Sequence, residues 1–368
     1  MQARPAPALG WGADTGLTAG RRDVPALRSG QGVSVATIDD VARAAGVSTS
    51  TVSYVLSGKR PISAPTRQRV ERSIRKLGYR PHAGARALAS SRTNVIALMA
   101  PLRAGVNVSV IMQFVAGVVT SARTFEHDIL LLTQDDGAGL ERVGDGSMVD
   151  ALIMMDIEAD DPRVPVLAAL RQPSVLIGLP SNPQGLSCVD LDFEAAGRTA
   201  VRHLAQLGHR KIALIGSPRA VLERHTSYAD RMLRGFTAQI AELGLEGIYE
   251  PCESSPTGAL VAVDQVLQRM PDVTAMVVHN EVALPAVIGT LRERGKVIPD
   301  DISLVAVCPL DIAVGQPIPL TAVDIPALAI GRVAVEMAVA RVAGTLPAET
   351  RLLAPVLTQR QSTAPFSP

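Results

Sequence analysis

The 368-residue chain has few cysteines, no long apolar run and no segment typical of a secretion signal. Its three cysteines, Cys188, Cys252 and Cys308, are an odd and scattered set, which excludes a disulfide framework and indicates reduced thiols in a cytosol. No run reaches the roughly 18 consecutive apolar residues that a membrane span needs. These absences predict a cytoplasmic protein that makes no contact with a membrane.

Signatures of catalysis and of metal binding are missing as well. The sequence contains no GxGxxG or GxSxG motif, and the glycines near Lys296 have the wrong spacing for a phosphate-binding loop. The six histidines show no metal-ligand pairing with cysteine or carboxylate. Of these, His203 and His209 are interpreted as a helix cap and a surface ring. We therefore expect no catalytic residue, no metal site and no cofactor, and the chain is not predicted to be an enzyme.

The formal net charge of +1 hides a strong asymmetry along the chain. Residues 35–92 contain eleven Lys or Arg and three Asp or Glu, a net charge of +8, whereas residues 93–368 carry −9. A polyanion would be attracted to the basic segment and repelled by the acidic remainder. This is the charge distribution expected of a small nucleic-acid reader attached to a large separate domain, although a solvated basic surface is the simpler alternative.

Residues 37–46 begin a pattern of three short helices with the spacing of a helix-turn-helix. Thr37 and Asp40 resemble a capping box, and Gly46 breaks the first helix. Ser48 is a natural N-cap for a second helix over 49–57. Its expected inward residues are Val52, Val55 and Leu56, and its outward residues are Thr49, Ser50, Ser53 and Tyr54.

A third helix follows the predicted cap Ser63 and ends at Gly78. Pro65 suits its first turn, because the missing N–H would have had no partner inside the helix. Its inner face is predicted to carry Val70, Ile74 and Leu77. Three helices around one small core are the minimum for this DNA-binding module.

The stretches TIDDVARAAGVSTSTVSYVLSG, RPISAPTRQRVERSIRKLGYRP and ARALAS resemble the head of the LacI/GalR family of bacterial repressors. By this resemblance Thr49, Ser50 and Tyr54 read base edges in the major groove of an operator. Hydroxyls at helix starts suit phosphate oxygens, since free backbone N–H groups lie beside them. The resemblance assigns phosphate contacts to Thr37, Ser48, Thr51, Ser53, Ser63 and Thr66.

Residues 81–92 resemble the hinge helix of the same family. Ala85 would allow two such helices to approach closely in the minor groove, and Leu88 would act as an apolar wedge between base pairs. A plain linker is the alternative, because Pro81 and Gly84 weaken a short helix. We expect a DNA-binding domain over 35–80, and one such head per chain predicts a homodimer on double-stranded DNA.

Residues 1–34 are rich in Gly, Ala, Pro and Arg and show no apolar periodicity, so we expect a disordered leader. A misplaced start codon is one alternative. Weak phosphate contacts through Arg21 and Arg22 are another.

The remaining residues, 93–368, alternate apolar runs of strand length with amphipathic stretches. Unbroken apolar runs such as 151–157 and 302–308 are typical of buried parallel strands, and 195–208 is typical of a helix between them. The repeated βαβ pattern and the length predict an α/β body of two doubly wound domains.

This body also resembles the effector core of the LacI/GalR family, whose fold is that of periplasmic sugar-binding proteins. The markers are HLAQLGHRKIALIGSP, RMLRGF, PDDISLVAV, LTAVDIP and LTQRQST. The resemblance implies a core for effector binding and dimerisation, with a ligand cleft at the carboxyl ends of the strands. It implies a first lobe of 93–191 and 324–350 and a second of 192–323 and 351–363, with crossovers near Leu191/Asp192, Asp324 and Arg351.

The expected cleft departs from the family pattern. Sugar-responsive members carry Asp, Arg and Asp at the positions of Gly178, Met232 and Cys308, and only the Asn at position 280 is retained. Arg231 lies one residue from the expected Arg and could substitute for it. The candidate effector contacts are Asn280, Arg231 and Asp192, and the loss of two carboxylates argues against an ordinary hexose held in the usual way.

An acidic loop after the third apolar run could supply the missing carboxylates: Asp156, Glu158, Asp160 and Asp161. A solvated acidic loop is the alternative reading of the same residues.

Together these features predict a sequence-specific transcription regulator, acting as a repressor, whose affinity for its operator is gated by a small, sugar-like or other polar metabolite between two lobes. One alternative is a DNA-binding regulator whose degenerate cleft senses nothing. Another is a solute-binding protein or an enzyme on the same fold, for which the hydroxyl-rich recognition helix within residues 37–92 would have no use.

Overall fold

The computed structural model describes residues 36–57, 60–79, 92–100, 107–132, 137–145 and 148–366. The chain divides into two units, residues 1–81 and 82–368. The expected leader over 1–34 and the expected hinge contacts Ala85 and Leu88 lie outside the described residues.

In the first unit, helices α1 (Ile38–Ala45), α2 (Thr49–Ser57) and α3 (Ala64–Leu77) occupy the positions that the caps predicted. The amide of Asp40 donates to the Thr37 hydroxyl at 3.3 Å, and the amide of Thr37 donates to the Asp40 carboxylate at 2.9 Å. This reciprocal pair is the predicted capping box.

The core of the first unit is small and does not extend to the last turns of its helices. Val41, Val52 and Val70 are fully buried, and Tyr79 closes the core after α3. Leu56 and Leu77, which we expected to face inward, are 38% and 37% exposed. Both lie in the last turn of their helices, beyond the reach of the packed valines.

The second unit contains two lobes, each built on a six-stranded sheet. The sheet of lobe 1 has the strand order β11-β5-β4-β3-β1-β2 and is parallel throughout. Its strands are β1 (Val95–Met99), β2 (Asp128–Leu132), β3 (Ala151–Met154), β4 (Ser174–Ile177), β5 (Ser187–Leu191) and β11 (Thr350–Leu353). Its helices are α4 (Val108–Thr124), α5 (Gly137–Asp145), α6 (Arg163–Ala169) and α13 (Ala327–Val342).

The sheet of lobe 2 has the order β12-β10-β9-β8-β6-β7 and is parallel except for its short edge strand β12. Its strands are β6 (Lys211–Gly216), β7 (Glu246–Pro251), β8 (Ala275–Val278), β9 (Ser303–Cys308), β10 (Thr321–Asp324) and β12 (Leu357–Thr358). Its helices are α7 (Phe193–Gln206), α8 (Arg219–Glu223), α9 (Ser227–Glu242), α10 (Pro256–Arg269), α11 (Leu284–Glu293) and α12 (Leu310–Val314).

The chain crosses between the lobes three times. The first crossover follows β5 at Leu191, and the second follows β10 at Asp324. The third lies between Leu353 and Leu357, a few residues after Arg351 where we expected it. The reason is that β11 continues to Leu353 and pairs with β5 of lobe 1 throughout.

Glycines allow the helices of each lobe to pack backbone against backbone. A Cβ on Gly235 of α9 would lie 2.0 Å from the carbonyl oxygen of Glu194 in α7, and one on Gly197 would lie 2.7 Å from the backbone of α9. Gly117 and Gly331 have the same close contacts between α4 and α13. These helix pairs cover one face of each sheet and hold the strand ends that form the cleft.

The buried His209 ties the C-terminal segment to lobe 2. Its Nδ1 lies 3.0 Å from the Thr274 hydroxyl and its Nε2 lies 3.2 Å from the carbonyl oxygen of Ala364. We expected a surface ring at this position, and that interpretation was wrong. The sequence around His209 is a turn, and only the tertiary fold brings residues 362–366 over it.

Candidate functional site

Paired hydroxyls lie at the N-termini of α2 and α3 in the head. The Ser48 hydroxyl lies 2.9 Å from that of Thr51 and accepts a hydrogen bond from the Thr51 amide at 3.2 Å. At α3 the Ser63 hydroxyl donates to that of Thr66 at 2.9 Å, and it does not cap the helix backbone. In both pairs the serine is exposed and the threonine is half-buried, and both pairs lie at helix starts, where free N–H groups favour an anion.

The hydroxyl of Thr37 is placed differently. It donates to the Asp40 carboxylate at 2.7 Å, so an acidic group already occupies the start of α1. Hydrogen bonds from Thr37 lower the pKa of Asp40, which keeps this carboxylate ionised. A phosphate at this position would have to approach a negative charge.

The expected base-reading residues share the outward side of α2. Thr49 and Ser50 are exposed, and Tyr54 is half-buried. The guanidinium of Arg60 lies 5.2 Å from the centroid of the Tyr54 ring, a distance typical of a cation–π contact. Sequence reasoning missed Arg60, which follows α2 and brings a positive charge to this surface.

A cavity of about 130 Å³ lies between the lobes of the second unit. Strand ends supply much of its lining, because the carboxyl ends of both parallel sheets face the cleft. These residues are Met155, Asp156, Ile177, Gly178, Asp190, Ser217, His279, Asn280 and Ile325. Helix residues including Val110, Ile111 and Phe114 make most of the remaining wall apolar.

Three rings cluster on one side of the cavity. The ring centroids of Phe193, Tyr228 and His279 lie 5.4–5.7 Å apart. Burial lowers the pKa of His279 to about 4, so its imidazole is neutral at neutral pH. The cluster therefore offers aromatic faces and a neutral imidazole.

Arg231 does not line the cavity. Its buried guanidinium forms an ion pair with Asp190 of lobe 1 and donates to the carbonyl oxygen of Leu191 at 3.2 Å. Burial raises the pKa of the Asp190 carboxyl to about 6, and the charge of Arg231 opposes that rise. The pair thus joins α9 of lobe 2 to β5 of lobe 1 beside the cavity, which Asp190 lines.

Of the three expected effector contacts, only Asn280 borders the cavity. Its Nδ2 donates to the carbonyl oxygen of Cys252 at 2.7 Å, and its Oδ1 accepts from the amide of Ala283 and the hydroxyl of Ser254, both at 3.3 Å. Asp192 caps α7 by accepting from the amide of Ala195 at 3.0 Å. Asn280 therefore shapes the strand-end loop while it faces the cleft.

The glycine at position 178, where the family pattern has an aspartate, has a steric explanation. Its φ is +134°, and a Cβ there would lie 2.7 Å from the Cβ of Ile157. An aspartate could not occupy this position unless Ile157 moved. Cys308 and Met232 are both buried in the apolar interior and do not line the cavity.

Glu281 was not among the expected site residues, but it lines the cavity. Burial raises the pKa of its carboxyl to about 7. The signal in the sequence is the polar triplet His279-Asn280-Glu281 directly after the apolar strand β8. Asp190 had a similar signal, since it is an acid within the otherwise apolar or small β5.

Two loops tie the lobes together, and we call residues 156–159 and 224–227 the inter-lobe strap. The amide of Ala159 donates to the carbonyl oxygen of His225 at 2.8 Å, and the amide of Ser227 donates to that of Ile157 at 2.9 Å. Between them Glu158 and Thr226 form an antiparallel bridge. The cleft is therefore closed on this side by backbone hydrogen bonds.

Ion pairs reinforce the strap. The guanidinium of Arg224 in lobe 2 lies 3.2 Å from the carboxylate of Asp156 and 3.4 Å from that of Glu158, both in lobe 1. Asp161 instead pairs with Arg163 at 2.6 Å within lobe 1, and Asp160 is exposed. The four acids of the loop thus differ in their surroundings. Asp156 is the only one of the four that lines the cavity.

A further contact joins the lobes through α4 and α12. The side-chain amide of Gln113 lies 3.1 Å from each carboxylate oxygen of Asp311. Together with the strap and the pair of Arg231 with Asp190, it fixes the two lobes against each other.

Within the described ranges, no group of three or more His, Cys, Asp or Glu side chains is arranged to hold a metal ion. No helix in the part of the chain that the structure describes is long and apolar enough to cross a membrane. The three cysteines are buried as free thiols, and burial raises the pKa of Cys188 and Cys252 to about 11.

Comparison with known proteins agrees with both units. Residues 32–82 match the model of the bacterial regulatory proteins of the lacI family, and residues 201–363 match that of a periplasmic binding protein-like domain. The HTH-type transcriptional regulator CelR of Thermobifida fusca is 30% identical over 335 residues, which cover 86% of this chain and 95% of CelR. Catabolite control protein A of Priestia megaterium is 28% identical, covering 82% of this chain and 91% of that protein.

Solved structures give the same result. The complex of the transcriptional regulator CelR with cellobiose superposes with a TM-score of 0.63 at 27% identity, covering 89% of this chain and 99% of that one. The lac repressor dimer bound to operator and the anti-inducer ONPF superposes with a TM-score of 0.75 at 23% identity, covering 90% and 99%. The predicted architecture of a helix-turn-helix head and two parallel-sheet lobes is therefore confirmed.

Proposed function

This chain belongs to the lacI family of bacterial regulatory proteins, and on that premise we propose that it controls transcription by binding an operator as a homodimer, with an affinity set by a small molecule in its cleft. Its relatives are DNA-binding regulators and not enzymes. The alternative of an enzyme or a solute-binding protein on the same fold has no support among these relatives.

The outward side of α2 is the observation that carries the DNA-binding half of this proposal. A short helix with a buried valine side and exposed Thr49 and Ser50 next to Tyr54 has the size and polarity of a major-groove reader. Exposed cations on α3 add sequence-independent attraction to phosphates: Arg67, Arg69, Arg72, Arg75 and Lys76.

Operator selection from random duplexes with the full-length protein tests this half. We expect a pseudo-palindromic site, and Ser50→Ala or Tyr54→Ala should change the ranking of operator variants measured by fluorescence anisotropy. Arg67→Ala should instead weaken all duplexes alike and reduce the salt slope by about one. Ser109→Ala, which removes an exposed hydroxyl in the second unit, is the matched control and should change nothing. An unchanged ranking for Tyr54→Ala would place the reading surface elsewhere.

The cavity supports the second half of the proposal, which is that a ligand controls operator affinity. It lies where α/β folds bind ligands, and the related CelR was solved with cellobiose. A ligand that contacts both lobes can change their arrangement, and operator and ligand affinities are then coupled reciprocally.

A regulator with a degenerate cleft is the second candidate, because Gly178 and Cys308 replace two acids of the family pattern. The two candidates differ in one measurement, which is operator affinity with and without compounds that raise the melting temperature of the protein. Asn280→Ala should abolish the response of operator binding to such a compound and leave binding without it intact. If no compound that binds the protein alters operator affinity, the degenerate cleft is correct.

A further inference from the structure

Glu281 is the carboxylate of the cavity that has no charged partner among the described residues. Asp156 and Asp190 also line the cavity, but they are paired with Arg224 and Arg231. No ion pair from any described residue reaches the Glu281 side chain, whose carboxylate accepts a hydrogen bond from its own backbone amide. The cavity thus contains one acidic group that the described residues leave without a cationic partner.

The lining that the structure describes contains no arginine or lysine that would attract an anion. His279 is the remaining basic group, and burial lowers its pKa to about 4, which makes it neutral at neutral pH. Tyr228 is neutral as well, because burial raises its pKa. Once Glu281 is ionised, the uncompensated charge of the site is negative, and an anionic ligand is repelled.

The size of the cavity favours small ligands. Its volume of about 130 Å³ is close to the roughly 150 Å³ of a cavity that holds one benzene molecule. A disaccharide such as cellobiose has several times as many non-hydrogen atoms and would require the lobes to separate. The strap and the contact of Gln113 with Asp311 oppose that separation.

Several polar groups of the cavity are already engaged by the fold, which favours a ligand with few hydroxyls. Asn280 uses its amide on the strand-end loop, and the Asn107 oxygen accepts from the amides that begin α4. The hydroxyls of Ser217 and Tyr228 bond to each other. A hexose would bury several hydroxyls against apolar side chains without partners, at a cost for each of them.

We propose that the cleft binds a small amphipathic cation, a primary amine on an apolar body of about one ring, whose ammonium group pairs with Glu281. The apolar body lies against Phe193, Ile177 and Ile325. Glu281 is then the residue that determines specificity, in place of the two family acids that this chain lacks. The inference rests on the proposed function for its site and names the class of ligand.

Isothermal titration of the full-length protein with probes of matched size tests the proposal. The probes are cyclopentylamine, cyclopentanol and cyclopentanecarboxylate, which differ in charge on the same ring, with glucose and cellobiose for size and hydroxylation. We expect the amine to bind tightest, the alcohol more weakly, and the carboxylate and both sugars not at all.

Glu281→Gln should weaken binding of the amine by roughly ten- to a hundredfold and leave the alcohol nearly unchanged. Glu293→Gln makes the same chemical change on an exposed residue of α11 and should alter neither affinity by more than about twofold. Glu281→Asp keeps the charge, so it should retain the preference for the amine. This variant replaces Glu281→Gln in the test if the glutamine variant fails to fold.

The proposal is overturned if the carboxylate or either sugar binds more tightly than the amine, if the Glu281 and Glu293 variants behave alike, or if no probe binds. Operator binding is measured on the same samples. A protein that binds its operator but not the amine retains the proposed DNA function and loses only the ligand class.

Discussion

Replacing Glu281 by glutamine should stabilise the protein in neutral and alkaline solution, and the gain should vanish in acid. Burial raises the pKa of this carboxyl from its usual value near 4.5 to about 7 in the native state. Between these two values the unfolded chain has lost the proton that the native protein still holds. The native state therefore loses stability, relative to the unfolded chain, as the pH rises through this window.

The magnitude follows from the difference between the two pKa values. Full ionisation above pH 7 costs the native protein at most about 3 kcal/mol, and below about pH 4 it costs nothing. The glutamine variant lacks this cost. Between pH 5 and pH 8 its advantage over the parent should grow by about 2 kcal/mol, which amounts to several degrees in melting temperature.

Differential scanning calorimetry of both proteins at several pH values measures this difference. Asp190 lines the same cavity and has a pKa of about 6, but it titrates in both proteins, so its own contribution cancels from the difference. His279 changes charge near pH 4, and burial raises the pKa of Tyr228 and Cys308 well above the window. Glu293→Gln, on the exposed end of α11, makes the same chemical change outside the cavity and is the matched control. A constant or shrinking advantage of Glu281→Gln with rising pH would refute the reasoning.

Three further perturbations address the lobes and the head. Arg224→Ala should cost about 1 kcal/mol and increase the radius of gyration in X-ray scattering, while Arg332→Ala, which breaks a surface pair within one helix, should do neither. Gly235→Ala should severely destabilise the protein in thermal unfolding because its Cβ meets the α7 backbone, whereas Gly289→Ala has open space and should stabilise α11 by about 1 kcal/mol. Leu88→Ser, outside the described residues, should reduce the ratio of specific to nonspecific DNA affinity, and equal losses on both DNAs would favour a plain linker.

The fold could be predicted because its signals are local. Caps such as Thr37 with Asp40 fix where a helix starts, and apolar runs such as β9 mark buried parallel strands wherever they occur. Even the strand-end position of the cleft follows from the parallel topology.

Side-chain partners could not be predicted in the same way. Arg231 was expected to contact a ligand, but it pairs with Asp190, forty-one residues away in sequence and in the other lobe. His209 is buried because the chain terminus returns over it. Such pairings depend on long-range geometry, whereas Glu281 was overlooked although its place directly after a strand was visible in the sequence.

The inter-lobe strap would limit how far a ligand can shift the balance between closed and open lobes. If the strap keeps about 99 of every 100 molecules closed, a ligand that prefers the closed form can convert only the one molecule that is still open. A ligand that prefers the open form can raise the open population by about two orders of magnitude. The backbone bridge between Glu158 and Thr226 would thus fix the resting output of the promoter, and side-chain pairs such as Arg224 with Asp156 would be the positions where evolution can adjust its range.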